Sequence, residues 1–139
     1  MLITAKSPLL FILHAVIYKK IALKDRPLVV HVFVKATAKE VSTKLNRIHN
    51  KAVRFEPSEF TIAHDTDAQT CYLEHSLPGQ YVIMFTKLSI EAIAHEVWHV
   101  VMDHGRYIGL KHDDSSEESF AYLFGYLIKE IHELGTKNR

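Results

Sequence analysis

A single cysteine, Cys71, stands in 139 residues, which excludes an internal disulfide framework and leaves nothing that argues for an oxidising compartment. Charge of one sign is also missing. A formal net charge of +1 provides neither the basic field that would hold nucleic acid nor an acidic field for cationic partners. No apolar run approaches the roughly 20 residues needed to span a bilayer. The run 9–18 is interrupted by His14, is followed at once by Lys19-Lys20 and has no small-x-small cleavage site behind it. It is therefore expected to be a buried strand or short helix rather than a secretory signal. No internal repeat or low-complexity segment is present. With 47% hydrophobic and 24% charged residues, the expectation is one cytoplasmic globular domain with no nucleic-acid partner and no membrane span.

Histidine, by contrast, is plentiful. There are ten, and four of them (His95, His99, His104 and His112) fall within eighteen consecutive positions. The stretch 93–101 contains His95-Glu96-Val97-Trp98-His99. Histidines four apart share one helical face, with Cβ atoms about 5–6 Å apart, so both imidazoles can reach one zinc at roughly 2.0–2.1 Å. Glu96 lies about 100° round the helix from His95. That makes it a poor ligand but places it where a general base acting on water would stand. The plainer reading is a buried amphipathic helix whose histidines are satisfied by hydrogen bonds. Against it, Ile93, Val97, Trp98, Val100, Val101 and Met102 make the helix apolar almost all round. Two imidazoles and a carboxylate in such a helix call for a strong partner, which a divalent cation supplies.

The remaining pattern predicts an α+β fold. Residues 28–35 are β-branched and short, hence a strand with much of its length buried. Thr37 and Glu40 have capping-box spacing and should open a helix through Val41, Leu45 and Ile48. Residues 60–64, 70–74 and 80–85 read as three further strands, the first two joined by the turn 65–67 and the last two by 77–79. Short connections favour antiparallel hairpins, so a small, mainly antiparallel sheet is expected. Thr86 or Ser89 should cap the motif helix, running from about Leu88 to Asp103 and stopping near Gly105. A last helix from Glu117 to about Leu134, capped by Ser115 or Ser116, carries Phe120, Leu123, Phe124, Leu127 and Ile131 on its apolar face. His31, His49, His64 and His75 read as surface or core packing. The whole, 1–139, is one domain: an N-terminal apolar segment 1–27, strands and one helix over 28–86, and the metal-binding helices 87–139.

A catalytic zinc takes three protein ligands, and two His plus one Glu is a known set. Glu118, nineteen residues past His99, is favoured over Glu117 because its helical face continues into Ala121, Tyr122 and Gly125, of which Ala121 and Gly125 are small enough for close approach to the motif helix. The plainer explanation of both glutamates is their favourable place in a first helical turn. His104, His112, Asp113 and Asp114 are fallback ligands.

On His95-Glu96-Val97-Trp98-His99 and Glu118-Ser119-Phe120-Ala121-Tyr122-Leu123, the chain resembles the gluzincin metallopeptidases over about residues 80–131. Within them it is most similar to minigluzincins, ImmA/IrrE-type peptidases and the compact metallopeptidases of phages and prophages. Glu-Ser-Phe stands here in place of the Glu-Ala-Asn usual in the ImmA/IrrE type. The resemblance implies a zincin-like fold, one zinc per chain held by His95, His99 and Glu118, a water activated by Glu96, and a sheet lying over the motif helix. It implies a peptide or protein substrate. Tyr107, His112 and Tyr122 are candidate donors to the developing oxyanion. The competing expectation is a non-catalytic, zinc-stabilised protein-binding module. Glu96 and the single cysteine argue against that, since a structural zinc is normally closed by four ligands, often cysteines.

Overall fold

The computed structural model describes residues 16–49, 53–63, 65–73 and 76–137. Four strands, β1 (Ile17–Ala22), β2 (Val29–Val34), β3 (Ala68–Tyr72) and β4 (Gln80–Phe85), form one sheet in the order β1-β2-β4-β3. Among the described residues three helices accompany them: α1 (Ala38–His49), α2 (Ile90–Tyr107) and α3 (Glu117–Lys137). β1 pairs antiparallel with β2, and β3 antiparallel with β4. The central pair, β2 and β4, is parallel. The sheet is thus mainly antiparallel, as expected, with one parallel pair at its centre. α1 and β3 intervene between β2 and β4, a connection long enough for parallel pairing.

The two central strands are apolar on both faces because both faces are covered. Val30, Val32 and Val34 of β2, with Tyr81, Ile83 and Phe85 of β4, pack against Ile93, Val97, Val100 and Val101 of α2 and Leu123, Leu127 and Ile131 of α3. The alternate residues Phe33, Val82 and Met84 face Val41 and Leu45 of α1 together with Phe55 and Phe60. The parallel register, Val30 beside Tyr81 and Phe33 beside Met84, keeps each set on its own side. α1 opens as expected, with reciprocal bonds between Thr37 and Glu40: Thr37 N–H donates to Glu40 Oε1 at 3.1 Å and Glu40 N–H to Thr37 Oγ1 at 3.2 Å.

Other expectations need correction. Residues 1–15, most of the apolar run 9–18, lie outside the described residues. Its last two, Ile17 and Tyr18, begin an edge strand that continues through the lysines read as a flank. Lys19 reaches Glu130 of α3 at 2.6 Å, while Tyr18 donates to or accepts from His31 Nδ1 at 2.9 Å on the other face. Charged side chains are well suited to an edge. The strand expected at 60–64 is absent over 60–63, and His64 is outside the described residues. A 3-10 turn, Pro57–Phe60, takes its place. Pro57 starts it, Glu56 N–H donates to the Glu59 carboxylate at 2.7 Å, and Phe60 anchors it in the core.

The motif helix also runs past its expected stop. Gly105 lies inside α2 and is buried. A Cβ there would stand 2.5 Å from the Phe120 ring, so the glycine admits α3 rather than ending α2. Termination falls to Gly109, at φ +73°, where Gly109 N–H bonds Arg106 O at 3.1 Å and Leu110 N–H bonds Gly105 O at 2.8 Å. These two bonds make a Schellman cap. Among the described residues no helix is long and apolar enough to cross a membrane.

His31 and His104 give the fold a pH dependence. His31 is fully buried, with its ring nitrogens bonded to Tyr18 and to Gln80 Oε1 at 2.9 Å. His104 is buried with neither ring nitrogen hydrogen-bonded among the described residues. Burial lowers both pKa values. The His31–Gln80 bond opposes the shift, and the charges of His49 and Lys20 reinforce it; for His104, Arg26 reinforces it and Asp103 opposes it. A depressed folded-state pKa means that the unfolded chain binds the proton first, so stability is full above about pH 6.5 and falls as pH drops below it. Each group contributes a slope of up to about 1.4 kcal/mol per pH unit until its folded pKa is reached. Urea midpoints measured with chelator should therefore fall between pH 7.5 and 5.5, and a His104→Leu variant should show a flatter decline. Equal slopes would remove His104 from this account.

Candidate metal centre at the open edge of the sheet

Ser89 caps α2, its hydroxyl accepting from Ala92 N–H at 3.1 Å. From there the apolar residues Ile93, Val97, Val100 and Val101 turn towards the sheet, and the helical period sets His95 and His99 on the opposite, exposed side. Their Nε2 atoms stand 3.1 Å apart, with the rings at 74° to one another. Two nitrogens bound to one tetrahedral zinc at roughly 2.0–2.1 Å would be about 3.3 Å apart. The pair therefore fits a shared cation, and equally an N–H···N hydrogen bond between a donor and an acceptor tautomer.

Glu96 points elsewhere. It is 6% exposed and lies on the sheet side of the helix, where Thr70 of β3 donates its hydroxyl to Glu96 Oε2 at 2.5 Å. Seven residues on, Asp103 repeats the arrangement and accepts from Tyr81 of β4 at 2.8 Å. Two carboxylates on one helical stripe thus bind two neighbouring strands. β3 is an edge strand, paired only with β4 among the described residues. Glu96 therefore sits between the exposed histidine pair and an open sheet edge.

The third expected ligand is placed differently. Glu117 and Glu118 occupy the first turn of α3 and both are exposed. Among the described residues no three His, Cys, Asp or Glu side chains gather into a metal-holding group, so Glu118 is not brought to the histidines here. The face used to choose it does not make a close helix contact. Ala121 and Gly125 are exposed, Tyr122 is 77% exposed, and a Cβ on Gly125 would meet nothing within 4 Å. α3 instead meets α2 through Phe120 on Gly105 and through Phe124, whose ring centroid is 5.7 Å from that of Trp98. Small residues suggested approach; the larger apolar ones on the other side of the helix decided it.

The start of α3 is tied down by its own loop. Asp113 Oδ1 accepts from Ser115 N–H at 3.0 Å and from its hydroxyl at 2.6 Å, which holds the Asp113 carboxyl below its ordinary pKa. The Ser116 hydroxyl bonds the Lys111 carbonyl. Ser116 thus faces back into the loop rather than capping the helix by its side chain.

Of the oxyanion candidates, Tyr107 lies eight residues beyond His99, about 12 Å along the helix axis. Tyr122 belongs to the exposed face of α3. His112 packs against Trp98 at 6.2 Å and Phe120 at 4.9 Å, next to the motif. Cys71 is half-buried, and burial, with the charges of Glu96 and Glu59 adding, raises its pKa to about 11. It is a protonated thiol facing the α1 side rather than a ligand. Thr70 has no signature in the sequence: a threonine in a short strand is ordinary, and only the packing of β3 on α2 gives it a partner.

No family model, curated protein or solved structure matches this chain.

Proposed function

We propose that this chain is a zinc-dependent metallopeptidase of zincin-like, gluzincin type, with one zinc held by His95, His99 and Glu118 and with Glu96 as general base. What supports the reading is the 3.1 Å His95–His99 pair on a helix whose intervening Glu96 reaches the open edge of the sheet. Bound zinc would supply a Lewis acid and bring the pKa of water in the site towards about 7. The chain's own residues do the rest. His95 and His99 converge on one point, and Glu96 takes a proton from the attacking water and returns it to the leaving amine. The edge of β3 that is unpaired among the described residues offers backbone donors and acceptors to an extended peptide or protein substrate by strand addition. Glu118 stands on the exposed first turn of α3, with Glu117 beside it as the substitute donor.

The test is metal content. Purified wild type and Glu96→Gln should each carry about one zinc per chain, whereas His99→Ala and Glu118→Ala should lose it. Retention in Glu118→Ala would pass the third position to Glu117 or to His112, Asp113 or Asp114 of the loop before α3. A wild type that binds no zinc when zinc is supplied would end the metallopeptidase reading. Zinc without peptide cleavage would favour the zinc-stabilised binding module.

A further inference from the structure

A glutamate that acts as a base must hold its carboxylate still, and Glu96 has three side-chain torsions that helix formation alone leaves mobile. One side chain restrains it. The Thr70 hydroxyl lies 2.5 Å from Glu96 Oε2 and 3.3 Å from the Glu96 backbone carbonyl. No other hydrogen bond to the carboxylate is found among the described residues. Thr70 is well suited to the task. It is β-branched and stiff at χ1, it is half-buried, and its own backbone is fixed in register opposite Ile83. A bond from a neutral hydroxyl to a carboxylate at this length is of the short, charge-assisted kind.

We propose that Thr70 is the positioning residue for Glu96: by binding Oε2 it fixes the carboxylate plane and leaves Oε1 directed to the reacting water. This rests on the metallopeptidase reading. It adds that the edge strand does two jobs, presenting its backbone to the substrate and aligning the base beside it. The proton of the Thr70 hydroxyl stays on Thr70; only Oε1 takes and returns a proton.

The experiment has two arms. In the metal-free protein, proton NMR should show a downfield, slowly exchanging Thr70 hydroxyl signal in wild type that disappears in Glu96→Ala. Its absence in wild type overturns the proposal whatever the protein catalyses. In the zinc-loaded protein, a single quenched-fluorescent peptide, chosen as cleaved by wild type from a randomised set, is turned over by Thr70→Val and Thr70→Ser. Thr70→Val keeps the shape and removes the donor. Its kcat should fall about tenfold to a hundredfold with KM and zinc content nearly unchanged, and Thr70→Ser should recover most of the loss. Equal kcat in Thr70→Val and wild type overturns the role of Thr70 while leaving the peptidase reading in place. A parallel loss of zinc or of thermal stability, unrescued by serine, assigns Thr70 to the fold and also overturns it. Zinc-loaded wild type that cleaves no peptide overturns both together, and the hydroxyl signal then records a structural contact only.

Discussion

Glu96→Gln should lower kcat for peptide cleavage about a hundredfold to ten-thousandfold, the range expected when a positioned general base is removed. Glutamine has nearly the same shape, and its side-chain oxygen can still accept from Thr70, so the packing of β3 on α2 should survive. What it cannot do is take a proton. Zinc content should stay at the wild-type level, since Glu96 is not among the proposed ligands and its bond to Thr70 can persist in the glutamine variant. KM should change little, because the carboxylate acts on the attacking water rather than on the bound chain. Steady-state kinetics on one quenched-fluorescent peptide, with zinc measured on the same samples, decides the matter. Activity within a factor of a few of wild type in a fully loaded Glu96→Gln would remove Glu96 from the chemistry and leave its carboxylate a structural link to the sheet.

The largest stability effect of a single small substitution should come at Gly79. This residue closes the turn between β3 and β4 at φ +78°, and a Cβ there would stand 2.3 Å from the Pro27 carbonyl oxygen. Its own carbonyl accepts from Val29 N–H at 3.0 Å, which ties the start of β2 to the start of β4. Alanine would meet two penalties: the left-handed backbone, about 1–2 kcal/mol, and a clash with backbone that cannot swing aside, about 1–3 kcal/mol. Gly79→Ala should therefore lose about 2–5 kcal/mol, a fall of about 1–3 M in the urea midpoint at constant m-value. Gly125→Ala is the matched control. Its Cβ would enter open space on an exposed helical face, and removing a glycine from a helix interior should gain about 0.5–1 kcal/mol. If both variants melt alike, the close approach at Pro27 is not what Gly79 serves. Because the same turn sets the register of the edge strand, Gly79→Ala should also loosen the Thr70–Glu96 contact.

Local signals in the chain were legible where the physics is local. The capping box at Thr37 and Glu40, the apolar runs that became β2 and β4, and the periodic apolar face of α3 depend on residues within a few positions of one another. Each appeared as expected. Failures came where a residue's meaning was set from far away. Gly105 looked like a helix stop, but it is a seat for Phe120, and that requires α3 to lie across it. Lys19 and Lys20 looked like the flank of an apolar run. They are part of an edge strand, and Lys19 is held by Glu130 of α3, 111 positions away. The strand expected at 60–64 had suitable residues, but Pro57 and the Glu56–Glu59 contact made a 3-10 turn before it.

The candidate site divides the same way. The sequence by itself determined the pairing of His95 with His99, because residues four apart in a helix share one face once it forms. It also determined that Glu96 would leave that face. It could not determine where Glu96 would arrive, since a side chain 100° round a helix meets whatever that side packs against. The tertiary structure supplied β3 and Thr70. It likewise put β3, paired only with β4 among the described residues, beside the motif, and it turned the Ala121, Tyr122 and Gly125 face of α3 to solvent. Helix periodicity is a property of the chain; the choice of which face is buried is made by every other element at once, through the apolar surface they jointly remove from water.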